Sequence, residues 1–341
     1  MPKTRLALMG VVALALIAAG CGSSDATTAG PDEAASTSED AASAAEDPVA
    51  EDPVAEDGTS ASGDGAVASD FPVTIDSDGG TWTLESAPQR IVSLSPTATE
   101  ILFAIGAGEQ IVAVDSYSYF PAEAPVTDLS GFDPNVEAVA AFEPDLVVIS
   151  NDSNELVASL TAADIPVLVS SAPADLEGGY AVMAELGLAT GHVDETAEVV
   201  AALRVAIETA LAAAPDVSVR IYHELGDSLF SASSSGFIGA VYAEMGVTNI
   251  ADEADIDGSG FPQLTEEYIV ESDPELIVIT DQVDYGTDDV AARPGWGEIT
   301  AVRNGNIVVV DADIASRWGP RLPQFIVAVA DALSSVAVPS S

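Results

Sequence analysis

The chain has 341 residues, 48% of them apolar, which is enough for one large or two ordinary domains with hydrophobic cores. Fifty-six acidic against nine basic residues give a net charge of -47, which repels phosphate backbones and anionic headgroups and excludes nucleic-acid binding. A single cysteine, Cys21, and two histidines, His192 and His223, exclude an intrachain disulfide and a thiolate metal cage and argue against a bare transition-metal site.

The first 20 residues read as an export signal. Lys3 and Arg5 precede an apolar run from Leu6 to Ala19, and Ala18-Ala19-Gly20-Cys21 has the layout of a lipobox. About 14 apolar residues fall short of the roughly 20 that span a bilayer. We therefore expect cleavage before Cys21, lipidation of that cysteine, and a mature chain held by lipid on the outer face of the cell membrane. Residues 22–70 contain no aromatic, Leu, Ile, Met, Lys or Arg but carry 13 acids and the repeat Glu46-Asp47-Pro48-Val49-Ala50, Glu51-Asp52-Pro53-Val54-Ala55. Such a segment cannot bury enough apolar surface to offset its ordering entropy, so 21–70 is expected to be a disordered acidic tether with an r.m.s. span of about 40 Å.

Globular sequence begins at Phe71. Phe71–Ile75 and Thr81–Leu84 alternate in polarity around Asp76-Ser77-Asp78-Gly79-Gly80, a hairpin signature. Short apolar runs follow at Ile91–Leu94, Ile111–Val114, Leu146–Ile149 and Ile165–Val169, with helical patterns between most of them. A second series, Val219–Tyr222, Leu276–Ile279 and Ile307–Val310, repeats the arrangement. Continuous apolar strands alternating with helices predict two α/β lobes with largely parallel sheets. The halves also echo each other: Glu143-Pro144-Asp145-Leu146-Val147-Val148-Ile149-Ser150 matches Asp273-Pro274-Glu275-Leu276-Ile277-Val278-Ile279-Thr280 at an offset of 130, and Arg90-Ile91 recurs as Arg220-Ile221 at the same offset.

Between the halves, Asp194 is placed to cap a helix running to about Ala214, where Pro215 stops it, with Val200, Leu203, Ile207, Ala210 and Leu211 as its apolar stripe. Some 20 residues reach about 30 Å, enough to cross between lobes. The predicted organisation is an N-terminal lobe over 71–190, one interdomain helix over 191–215 and a C-terminal lobe over 216–341. A single rigid crossing implies little relative lobe motion.

Catalytic signatures are missing. The chain has no G-x-S-x-G elbow, phosphate loop or H-E-x-x-H helix. Gly106-Ala107-Gly108 lacks the third glycine of a dinucleotide fingerprint and reads as a helix C-cap. A hydrolytic grouping of His223 with Ser231 or Asp227 rests on closeness in sequence alone, and an exported hydrolase is the competing class. His192 reads as a surface or capping residue, Trp82 as structural, Trp296 equally as core or cleft, and Trp318 as leaning to a cleft.

Arg90-Ile91-Val92-Ser93-Leu94-Ser95-Pro96-Thr97-Ala98-Thr99-Glu100-Ile101-Leu102 resembles the opening motif of the solute-binding proteins that feed ABC importers for cobalamin, ferric siderophores and haem. Glu143-Pro144-Asp145-Leu146-Val147, and Arg293-Pro294-Gly295-Trp296 with Ala301-Val302, are similar to later motifs of that family. The resemblance covers residues 71 to 338. It implies two α/β lobes joined by one long helix, ligand in a shallow cleft between them, no catalysis and no resident cofactor. The implied partners are a permease with its ATPase, and the protein is expected to be a monomer. It also implies a permease-docking glutamate on each lobe, Glu137 and Glu267, again 130 residues apart. Without any partner, each acid would also stabilise the first turn of its helix.

Tyr117 resembles the aromatic that packs on the corrin in cobalamin-binding members. Phe261 occupies a tryptophan position of those members, and Arg317 matches a cleft arginine. Two further aromatic positions are Gly131 and Ser150 here, with Phe132 next to the first. Tyr119, Tyr222, His223 and Trp318 complete the expected ligand-binding set, and Tyr117, Tyr119, Tyr222 or His223 would ligate iron if the ligand were haem. Arg293, Arg317 and Arg321 are the few cations near the cleft, whereas Arg90 and Arg220 begin strands. Since anionic chelates require clustered desolvated cations, a nearly neutral, bulky, cobalamin-type ligand is expected, with ferric siderophore or haem as the alternative.

Overall fold

A computed structural model describes residues 71–337. The export signal, Cys21 and the acidic segment, on which the anchor and tether expectations fall, lie outside the described residues. The hairpin forms as read. Strands β1 (Val73–Ser77) and β2 (Gly80–Leu84) pair antiparallel, and Gly80 takes the positive φ of 100° that closes the turn.

The first lobe is a parallel sheet in the order β4-β3-β5-β6, made of β3 (Ile91–Leu94), β4 (Ile111–Val114), β5 (Leu146–Ile149) and β6 (Val167–Val169). Helices α1 (Pro96–Ala104), α2 (Val136–Ala140), α3 (Leu156–Thr161) and α4 (Leu176–Thr190) accompany it. Every residue of β3, β5 and β6 is buried, because helices cover both sheet faces and a polar face would be desolvated. Ser95 caps α1 by accepting the Ala98 amide at 3.3 Å, with Pro96 at the first helical position. Gly106, at φ 92°, lies just past the C-cap Ile105.

Helix α5 (Val193–Ala213) then carries the chain to the second lobe. Leu203, Ile207 and Ala210 are buried, with Val200 and Leu211 packed partly against the core. The expected cap moves by two residues: His192 occupies that position without a side-chain capping hydrogen bond, and Asp194 falls in the first turn, where an acid still favours the helix dipole.

The second lobe has the order β8-β7-β9-β10, from β7 (Arg220–His223), β8 (Thr248–Asn249), β9 (Leu276–Thr280) and β10 (Ile307–Val310). Its helices are α6 (Phe237–Glu244), α7 (Glu266–Ser272), α8 (Thr287–Ala291), α9 (Thr300–Asn304), α10 (Ala312–Ser316) and α11 (Leu322–Ala337). The two-residue β8 has no counterpart in the sequence reading, since two residues cannot make an apolar run.

The sequence echo is a structural one. Ile91 pairs with Leu146 in the first sheet and Ile221 with Leu276 in the second, each partner displaced by 130. Arg90 Nε donates to the carbonyls of Phe142 and Glu143, and Arg220 Nε to those of Ser272 and Asp273. Glu143 and Asp273 both turn through positive φ, 48° and 45°. Each arginine therefore ties the start of its strand to the end of the helical segment that leads into the neighbouring strand, α2 before β5 and α7 before β9.

One apolar cluster runs through both lobes, joining Ile101 and Met183, Ile207 of α5, and Tyr242 and Phe325. Further clusters fill the other face of each sheet. Helices α4 and α5 approach closely at Gly187, where an added Cβ would lie 2.1 Å from Thr196 Oγ1 and 2.8 Å from its Cβ. Thr196 cannot turn away freely, because its buried hydroxyl donates to the His192 carbonyl at 2.6 Å. Gly187→Ala is expected to destabilise the protein by about 1–3 kcal/mol through overpacking, read as a fall of several degrees in Tm by calorimetry.

Candidate ligand-binding cleft

Strand ends position the site. Ser95 follows β3, Ser150 follows β5, and Gln282 and Asp313 lie just beyond β9 and β10. All four line a cleft of about 450 Å³ between the lobes. This is the carboxyl-end crevice where open α/β sheets bind ligands. Tyr117, Tyr119 and Phe132 from the first lobe and Arg317 and Trp318 from the second line the same hollow.

The first-lobe wall is aromatic and open to solvent. Tyr117 is 46% exposed, Tyr119 53% and Phe132 74%, and the Tyr117 and Phe132 rings meet edge-on at 5.5 Å and 86°. Solvent-exposed rings held this way offer large apolar area for a flat guest. A Cβ at Gly131 would lie 2.4 Å from the Leu94 carbonyl oxygen, so position 131 accommodates no ring and Phe132 provides one instead. Asp115, nearly fully buried below, accepts the Tyr117 amide at 3.3 Å and also backbone bonds from Ser118 and Gly131. One carboxylate thus fastens both aromatic-bearing segments, and burial raises its pKa above the usual aspartate value.

The second-lobe wall carries charge that is already paired. Arg317 donates to Glu100 Oε1 at 2.7 Å, to Asp313 Oδ1 at 2.6 Å and to the Tyr117 carbonyl at 3.3 Å. Arg321 makes two bonds to the same glutamate, Nε to Oε2 at 2.8 Å and Nη2 to Oε1 at 2.6 Å, and lies 3.7 Å from Asp313. The Glu100 side chain is 1% exposed and comes from α1 of the first lobe, so this buried quartet bridges the lobes. Breaking such a pair by removing one partner costs about 3–5 kcal/mol. Arg317 stacks over Tyr119 at 5.5 Å and Arg321 over Phe120 at 4.2 Å. Burial, then a hydrogen bond to Asp313, raises the Tyr119 phenol above its ordinary pKa. In the sequence Glu100 stands only as one residue of the opening motif. Its signal was a lone acid among Thr97, Ala98, Ile101 and Leu102.

Arg293, the third cation expected near the cleft, makes a bidentate pair with the fully buried Glu224 at 2.6 and 2.7 Å. Every arginine among the described residues is engaged: Arg90 and Arg220 as above, Arg204 with Glu177, and Arg303 with the Glu298 carbonyl and Thr300.

Three residues expected at the ligand, Tyr222, His223 and Phe261, do not line the hollow. Tyr222 and His223 are both 0% exposed, because β7 lies inside the sheet and successive side chains enter opposite cores. The Tyr222 ring packs 6.3 Å from Trp296, which is itself fully buried and therefore core. Burial, then the charge of Glu224, raises the Tyr222 phenol pKa. His223 Nδ1 lies 2.7 Å from the Tyr242 hydroxyl, with Phe325 alongside. Neither side chain lines the cleft. The hydrolytic grouping also dissolves, since Ser231 Oγ donates to the His223 backbone carbonyl at 2.7 Å rather than facing the imidazole. Phe261 is 47% exposed on a second-lobe loop and does not line the hollow. Trp318 lines the cleft and packs on Phe237 at 6.3 Å.

Glu137 and Glu267 are exposed in the first turns of α2 and α7, whose caps Asn135 and Thr265 accept the amides of Ala138 and Tyr268. Each cap accepts one first-turn amide, and each carboxylate stands beside it at the positive end of its helix.

Residues 91–314 match the family described as periplasmic binding protein. A cobalamin-binding protein of Halobacterium salinarum is 32% identical over 284 residues, covering 80% of this chain and 76% of that one. An uncharacterized ABC transporter substrate-binding lipoprotein of Bacillus subtilis is 29% identical over 275 residues, covering 77% and 86%. Among solved structures, the apo form of a periplasmic haem-binding protein of Roseiflexus sp. RS-1 shares the fold at a TM-score of 0.65 and 24% identity, covering 74% of this chain and all of that one.

Burial lowers the His223 pKa from 6.5 to about 4, so between those values the unfolded chain binds a proton that the native state refuses. Stability should therefore fall as pH drops from 6.5 to 4, by roughly 3 kcal/mol. Urea unfolding at both pH values should show this loss in the wild type and a much smaller one in His223→Gln.

Proposed function

Since this chain belongs to the periplasmic binding protein family, whose relatives here are binding proteins rather than enzymes, we propose that it captures a cobalamin-type corrinoid and delivers it to an ABC permease and its ATPase. The observation that carries the ligand class is a cleft walled by exposed rings in which Arg317 and the adjoining Arg321 are already paired. Such a site rewards stacking on a bulky, nearly neutral ring system and has no free cation for an anionic chelate. The relative named for cobalamin binding supports the same reading. Haem is the second reading, favoured by the exposed Tyr117 phenol in the cleft as an iron ligand.

Delivery places Glu137 and Glu267 on the permease, one knob from each half, at positions related by the internal repeat. Lipidation of Cys21 would hold the protein at the outer face of the membrane, with the acidic segment as a tether, in keeping with the lipoprotein relative. Among the described residues no helix is long and apolar enough to cross a membrane.

Cyanocobalamin and haem titrations separate the two ligands. The wild type should bind cyanocobalamin, and Tyr117→Ala should weaken it at least about tenfold through loss of ring packing, with Tm unchanged. The double variant Glu137→Arg/Glu267→Arg should keep the wild-type Kd in solution and abolish ligand-stimulated uptake in cells.

A further inference from the structure

The chain carries only seven arginines among its described residues, yet two of them, Arg317 and Arg321, converge beside the cleft. A pair of guanidinium groups at a cleft edge is what recognition of an anion requires. Here both are turned to Glu100, which takes three bonds of 2.6 to 2.8 Å from them while its side chain is 1% exposed. Asp313 closes the set to net zero and itself lines the cleft, presenting a negative charge to any incoming anion. For Arg317 to engage a ligand carboxylate or catecholate, it would have to leave Glu100 sealed from water with one partner fewer.

We propose that Glu100 and Asp313 determine the ligand class of this cleft, by holding Arg317 and Arg321 in a closed quartet that excludes anionic chelates and admits uncharged ring systems. The inference rests on the reading of this cleft as the ligand site. Glu100 is a positioning residue that acts through the arginines, while Asp313 acts both through Arg317 and directly on the cleft. A quartet that only clamped the lobes together would lose stability when broken, but would gain no affinity for anions.

The test uses two near-isosteric variants, Glu100→Gln and Asp313→Asn, each removing one negative charge, with folding checked by circular dichroism. Affinities for ferric enterobactin, an anionic tris-catecholate, and for cyanocobalamin are measured by tryptophan quenching at low and high salt. At least one variant should bind the anionic complex about tenfold or more tighter than the wild type at low salt, and the gain should shrink at about 0.5 M salt, as screening requires. Folded variants that bind the anion no better than the wild type overturn the proposal. Should Glu100→Gln fail to fold, Asp313→Asn, at a partly exposed carboxylate, decides alone. The cyanocobalamin arm is separate: a wild type that does not bind it defeats the corrinoid reading, while the change in anion affinity still judges the quartet.

Discussion

A carboxylate sealed from water and shared by two guanidinium groups is the constraint on which the lobe junction turns. Glu100 belongs to α1 of the first lobe, and both of its partners belong to the short segment between α10 and α11 of the second. Because the site is nearly dry, neither side can let go without stranding a charge. The exposed Arg204–Glu177 pair, with side chains 42% and 72% accessible, shows the contrast: water competes there, and such pairs contribute little. Around the buried quartet runs the apolar cluster common to both lobes. Together with α5 they tie the two halves, so the cleft is set by packing as well as by a covalent link.

The internal repeat supplies a symmetric frame, and departures from symmetry supply the chemistry. The repeated arginine clamps, the matching strand register and the matching capped helices with Glu137 and Glu267 are all common to both halves. The cleft walls are not. The first lobe offers Tyr117, Tyr119 and Phe132, whereas the second offers Asp313, Arg317 and Trp318. An aromatic wall facing a neutralised ionic wall suits a guest with a flat apolar face and a polar rim.

Acidity and site chemistry separate cleanly. A charge of -47 repels anions over the whole surface, but the long-range field is screened within about 10 Å at ordinary salt. On the proposed reading, selection inside the cleft falls to the local pairing of Arg317 and Arg321 rather than to net charge.

Strands β3, β4, β5 and β10, the hairpin, the Gly106 cap and the long helix were legible in the sequence because each is specified by neighbours a few residues away: an apolar run, a turn dipeptide, a 3.6-residue stripe. The family motifs likewise led to Tyr117, Phe132, Arg317 and Trp318, which tertiary folding brings to one hollow. Tyr222 and His223 fall in the cores and Phe261 outside the hollow, because composition does not say which face of a central strand, or which side of a loop, meets the cleft. The role of Glu100 lay beyond local reading altogether, since its partner Arg317 is 217 residues away. Periodicity and turn chemistry are short-range and survive in the linear string. Burial, pairing and the resulting charge of a cleft depend on which distant segments exclude water together, and only the folded chain decides that.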